Sequence, residues 1–185
     1  MRIKDFEKQE RIKRAIVNVI LKEGINGASV AKIARVAGVS PATIYVYYES
    51  KEDMLSEVFS EYAHMSYHHM TDKLLPDMPA AELIETIVRS AYSYALEHRE
   101  AFSFVEQCSS NPLLQECVCQ TDCCPELLNT IHIYQRQGLI RNCSDRNLVA
   151  MLFAPVKYLA LDNRNRSDDE KGLKELIELI QNALL

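Results

Sequence analysis

Residues Ser29 to Lys51 read SVAKIARVAGVSPATIYVYYESK, and the architecture of the chain follows from them. Val30, Ile33, Ala34 and Ala37 recur at i, i+3, i+4 and i+7, which makes one apolar helical face. Ser29 stands just ahead of that face, where a hydroxyl can accept from an orphan N–H of the first turn. Gly38 follows it, in the position where helices end on a left-handed residue that glycine adopts cheaply. Ser40 and Pro41 then restart the chain as an N-cap followed by a first-turn proline. A second helix is expected to run to about Tyr48, and Ser50, Lys51, Glu52 and Asp53 open a third with a capping box. Two helices joined by a tight glycine turn form a helix-turn-helix, whose second helix reads the major groove of DNA.

Several residues of this stretch carry a resemblance. Gly38-Val39-Ser40, Thr43-Ile44-Tyr45, Tyr47-Tyr48 and Ser50-Lys51-Glu52, preceded by Ile33-Ala34 and Ala37-Gly38, resemble the signature of TetR-type transcriptional repressors. The motif covers roughly the first third of the chain; the remainder is similar in length, helical content and layout. The resemblance implies an N-terminal helix-turn-helix and a helical domain that binds a small-molecule effector. It also implies that filling the effector pocket changes the spacing of two DNA readers.

Charge is distributed in agreement with that reading. The chain has 185 residues, 48% of them hydrophobic and 25% charged, which are the proportions of a globular protein. Its net charge of −5 conceals an asymmetry. Residues 1–51 hold ten Lys and Arg against five Asp and Glu, giving +5, and residues 52–185 hold eleven against twenty-one, giving −10. Phosphate neutralisation needs positive charge, and it is concentrated around the helix-turn-helix.

Helical spacing continues on both sides of the motif. Ile12, Ala15, Ile16, Val19 and Ile20 mark a helix from about Glu7 to Glu23, ended by Gly24. Residues 1–10 are mixed in charge, and Arg2 and Lys4 could form an arm along a groove or an ordinary frayed terminus. Further helices are expected at Lys51–Leu74, Ala80–His98, Ala101–Cys108, Leu113–Gln137, Asn147–Asp162 and Asp168–Leu185, with a kink at Pro155. No strand pattern stands out, so the expected fold is all-α: a three-helix DNA-binding domain at 1–53 followed by a helical ligand-binding and dimerisation domain at 54–185.

On an ideal helix from Ser40, Ile44 and Tyr48 face one side and Ala42 and Val46 the other, flanked by Thr43 and Tyr45. The outward pair can touch thymine methyl groups, while Thr43 and Tyr45 can donate to phosphates or base edges. The helix lacks Arg, Asn and Gln for bidentate base contacts, so DNA shape and the neighbouring Lys32 and Arg35 are expected to assist. By resemblance, Thr43, Tyr45, Tyr47 and Lys51 take backbone-contacting positions and Pro41, Ala42 and Val46 base-facing ones. Ser29 stands where the family often has a threonine, and Ser40 completes the expected DNA-binding set.

One reader in one groove contacts too little to be selective, so a homodimer on a two-fold symmetric, double-stranded operator is expected, through the last two helices. Tyr62, Met65, Tyr92, Phe102, Phe104 and Tyr134 are candidates to line the effector pocket, although such residues at helical spacing are more often core. Cys117, Cys119, Cys123 and Cys124 raise the alternative of a thiol-redox- or metal-responsive regulator, but C-x-C-x3-C-C is no standard zinc spacing. His64 and His68 lie at i, i+4 without a visible third ligand. No cofactor, metal site or catalytic constellation is expected. The first fifteen residues lack a signal-peptide core, and the longest apolar run, Leu148 to Val156, cannot span a bilayer. A cytoplasmic protein without membrane attachment is the expectation.

Overall fold

A computed structural model describes residues 3–109, 111, 114, 125–161 and 169–185, with side chains of residues 3–5 and 169 left aside. Every regular element among them is helical. The order is α1 (Ile3–Gly27), α2 (Val30–Ala37), α3 (Pro41–Ile44), α4 (Lys51–Thr71), α5 (Ala80–Glu97), α6 (Arg99–Ser109), α7 (Pro125–Arg136), α8 (Asp145–Leu161) and α9 (Asp169–Leu184). No helix of the described residues is long and apolar enough to cross a membrane. The packing divides the chain into two compact units, Met1–His64 with Glu100–Cys123, and Met65–Arg99 with Cys124–Leu185.

Within the first unit, α1 packs on α2 and α2 on α3. Ile12, Ile16 and Ile20 line the buried side of α1, with Ile33, Ile44, Met54, Val58 and Phe59 also enclosed. Each such side chain contributes about 1.5–3 kcal/mol by leaving water. The expected frayed start is instead helical from Ile3. Gly24 does break the helix as its sequence position predicts, at φ 74°, but one further turn follows before the chain leaves for α2. Lys13 is largely buried between Glu10 on its own helix and Glu61 of α4. Burial disfavours its charge, yet the hydrogen bonds to Glu61 and Glu10 outweigh that and raise the ammonium above its ordinary range.

The reversal between α2 and α3 is closed at both ends. Ser29 Oγ accepts from Lys32 N at 3.3 Å, capping the start of α2. At the other end Val39 N donates to Ala34 O at 2.9 Å and Gly38 N to Arg35 O at 3.3 Å, the Schellman pattern, with Gly38 at φ 66°. Ser40 Oγ then accepts from Thr43 N at 3.2 Å and restarts the chain with Pro41 in the first turn. α3 is shorter than its sequence pattern predicts. Regular α-geometry stops at Ile44, and Val46 N to Thr43 O and Tyr47 N to Ile44 O close tighter i→i+3 turns through Tyr47. Tyr48 nevertheless donates its N–H to Ile44 O at 3.1 Å, so Ile44 and Tyr48 still fall on one buried side.

In the second unit α5, α8 and α9 pack on one another. Leu83, Ile87 and Val88 of α5, Leu148, Leu152 and Val156 of α8, and Leu173, Ile177 and Ile180 of α9 form the core. The Leu159 side chain of α8 packs onto Gly172 of α9, where an added Cβ would lie 3.3 Å from Leu159 Cδ1. Arg89 joins Glu85 at 2.7 Å to Glu170 at 3.1 Å, linking α5 to α9 at the surface. α7 ends in a second Schellman turn, with Leu139 N on Tyr134 O and Gly138 at φ 71°. Pro155 lies inside α8.

Gly38 has open space around its missing Cβ, so a side chain there meets only the left-handed backbone cost. Gly38→Ala should lower unfolding stability by about 1–2 kcal/mol in a urea titration, with an unchanged m-value. Unchanged stability would mean that the left-handed turn does not hold α2 against α3.

Candidate nucleic-acid interface

The inner side of the 41–48 segment is fixed by Ile44 and Tyr48, which are 1% and 2% exposed. That anchoring turns the opposite side outward. Pro41 and Ala42 are exposed, Tyr45 is 56% exposed and Val46 79%. A valine that open to solvent gains nothing for the fold, and with Tyr45 and the half-exposed Val36 of α2 it forms an apolar and phenolic surface. Thr43 and Tyr47 are half-buried at its edges.

The expected polar contacts sort differently once their partners are visible. Ser29 and Ser40 serve as N-caps, and Ser40 Oγ also shares a hydrogen bond with Thr43 Oγ1 at 2.9 Å. Lys32 pairs with Glu23 and donates to Gly27 O at 3.0 Å. Lys51 Nζ donates to Ile25 O at 3.3 Å. Both lysines therefore hold the final turn of α1, and each ammonium keeps further donors for a phosphate. Spacing along α2 could not reveal this engagement, because Glu23 and Ile25 reach the lysines only through the bend at Gly24. Arg35 is exposed on α2. At the start of α4 the Ser50 cap of the expected capping box forms, with Asp53 N donating to Ser50 Oγ at 3.0 Å, while Asp53 Oδ2 accepts at 3.0 Å from Glu49 N, one residue ahead of the cap.

The residues expected to line an effector pocket fall in both units. Tyr62 and Phe104 meet edge-to-face at 5.3 Å between ring centres in the first unit, where Phe102 is also buried. In the second unit Tyr92 is buried in α5 and Met65 is exposed on α4. Tyr134 does border an open groove of about 560 Å³, between the end of α4, the 72–79 connection and α7. The groove is walled by Leu74, Leu75, Met78, Ile133 and Leu139, aliphatic side chains the sequence offered no periodic signal for. Leu74 to Pro79, with two prolines in six residues, was the available clue.

Cysteine chemistry gains little support. Cys117, Cys119, Cys123 and Cys124 lie outside the described residues, as does Arg2. Cys108 is fully buried and burial pushes its thiol up to about 12, which makes it unreactive at neutral pH. Cys143 is a free, half-buried thiol. His68 pairs with Asp72 at 2.9 Å, and no group of three or more metal-binding side chains forms among the described residues.

Comparison with known proteins places this geometry. Residues 12–58 match the family described as bacterial regulatory proteins, tetR family. The fatty acid metabolism regulator protein of Bacillus subtilis is 33% identical over 79 residues, 43% of this chain and 41% of that protein. The chain thus spans about two fifths of the curated relatives it matches in this way. A TetR family transcription regulator from Marinobacter aquaeolei superposes with a TM-score of 0.82 at 26% identity, over 100% of this chain and 98% of that one. The transcriptional regulator FadR from Bacillus subtilis, solved in complex with stearoyl-CoA, shares the fold at a TM-score of 0.73 and 24% identity, over 96% of this chain and 100% of that one.

Tyr48 carries a buried hydroxyl with no hydrogen-bond partner among the described residues. Burial raises its phenol well above the ordinary range, with the carboxylates of Glu57 and Glu61 adding to the effect. Tyr48→Phe removes the unpartnered oxygen and keeps the ring, so the variant should be as stable as the parent or more stable by about 1 kcal/mol in denaturant unfolding. A loss beyond about 1 kcal/mol would reveal a partner for that hydroxyl.

Proposed function

We propose that the chain is a bacterial transcriptional regulator of the TetR family, binds a two-fold symmetric DNA operator as a homodimer and is released from it by a small molecule. It works as a repressor, with no catalytic step and no cofactor. The observation that carries the proposal is the outward surface of Ala42, Tyr45 and Val46, held away from the core by Ile44 and Tyr48. Ala42 and Val46 approach thymine methyl groups in the major groove. Tyr45, Thr43 and Tyr47 donate to phosphates beside them, and Lys51 adds charge at the first turn of α4. Excess positive charge in residues 1–51 supports the same orientation.

Dimerisation is read from the second unit. Met151, Ala154, Tyr158 and Leu161 recur at helical spacing along the exposed side of α8, and Tyr158 is 71% exposed. Leu179, 67% exposed, stands out on α9, which packs against α8. Two copies of this paired face would join as a four-helix interface, the arrangement that buries apolar stripes on both helices of each chain. The effector belongs to the same unit, in the groove bordered by Tyr134. An apolar molecule suits its aliphatic walls.

Two variants test the proposal. Tyr45→Ala should weaken operator binding by about 1–3 kcal/mol while leaving the melting curve unchanged. Normal binding by that variant would show that the exposed face of α3 does not meet DNA. Tyr158→Glu should convert the dimer to monomers in sedimentation and abolish tight operator binding, because each half-site alone is too short. A stable dimer after that change would move the interface away from α8.

A further inference from the structure

The groove of the second unit has a fixed shape and a one-sided charge. Its 72–79 wall is latched to α7: the buried Tyr134 hydroxyl donates to Met78 O at 2.6 Å, and Leu75 N donates to Met78 Sδ at 3.2 Å. The opposite wall ends in the Schellman turn that presents Leu139. Leu75, Ile133 and Leu139 are 67%, 46% and 49% exposed, so apolar surface lines the concavity. A volume of about 560 Å³ suits a drug-sized molecule.

Two solvent-exposed carboxylates stand among those aliphatic walls, Asp77 and Glu126, and among the described residues the lining contains no Lys, Arg or His. Neither carboxylate joins an ion pair among the described residues. The remaining polar groups are neutral: Thr71, Thr130 and Gln137, with the Tyr134 hydroxyl already committed to Met78. A carboxylate or phosphate ligand would thus meet two negative charges and no cation among the described lining residues. A positive ligand would meet two attractive charges beside apolar walls.

We propose that this groove binds a bulky organic cation, its apolar body on Leu75, Ile133 and Leu139 and its charge toward Asp77 and Glu126. This deepens the reading of the chain as an effector-controlled regulator and rests on it only for the consequence of binding, not for binding itself.

Tetraphenylphosphonium and tetraphenylborate have nearly the same size and shape and opposite charge, so they separate charge recognition from adhesion to an apolar surface. Calorimetric titration of the full chain should show the phosphonium binding at least about tenfold more tightly than the borate. Asp77→Asn and Glu126→Gln should each weaken the phosphonium by about three- to tenfold and narrow the gap to the borate. Ile133→Thr should weaken both ions, which locates them in the groove. Equal or tighter binding of the borate, no binding of either ion, or full phosphonium affinity in both carboxylate variants would overturn the proposal. Operator binding measured on the same preparations is read separately. Phosphonium that binds with the expected charge dependence yet leaves DNA affinity unchanged confirms the site and refutes its role as the inducing one. Absent operator binding in the untreated protein refutes the DNA-binding reading alone.

Discussion

Between Ala37 and Ser40 the chain turns back within a few residues, and the hydrogen bonds closing that turn set the direction of everything that follows. Val39 N and Gly38 N satisfy the last carbonyls of α2, and Ser40 satisfies the first donor of α3. With these backbone groups paired, α3 can be short and still hold one orientation against α2. Ile44 and Tyr48 then act as the inner anchors, and the same rotation that buries them exposes Tyr45 and Val46. The lysines contribute structurally as well as by their charge. Lys32 and Lys51 each grip a carbonyl of α1's last turn, Gly27 O and Ile25 O, so the helix behind the reader and the helix after it are tied to one short segment.

The second unit is governed by a different constraint. Three helices that bury Leu83, Leu152, Ile177 and their neighbours cannot also bury the other sides of α8 and α9. Met151, Tyr158 and Leu179 are left outside by geometry. The groove against α7 is a separate feature of the same unit. Its aliphatic walls and paired acids distinguish it from the uncovered face of α8, which carries no comparable concentration of one charge.

Much of this was legible in the sequence where local rules decide the outcome. Ser29, Gly38, Ser40 and Pro41 announce caps whose chemistry is complete within four residues, and each behaves accordingly in the fold. Helical spacing also separated Ile44 and Tyr48 from Tyr45 and Val46. Features that depend on distant partners were not legible. Nothing near Lys32 shows that Glu23 will reach it across the bend at Gly24, and nothing within 41–48 shows that regular helix gives way to tighter turns after Ile44. Of the large aromatic residues that drew attention as pocket candidates, Phe102, Phe104 and Tyr92 are buried and Tyr134 borders the groove. The groove is built instead from a connection between prolines, where apolar side chains follow no helical period.

The most direct test of the account is selection of bound fragments from a random pool of double-stranded DNA by the full-length protein, at a stated salt concentration. The account predicts an enriched sequence with two-fold symmetry, its half-sites separated by roughly one helical turn or a multiple, about 34 Å centre to centre. An enriched sequence without that symmetry would contradict the dimeric reading, and no enrichment at all would contradict the assignment of the Ala42, Tyr45 and Val46 surface to DNA.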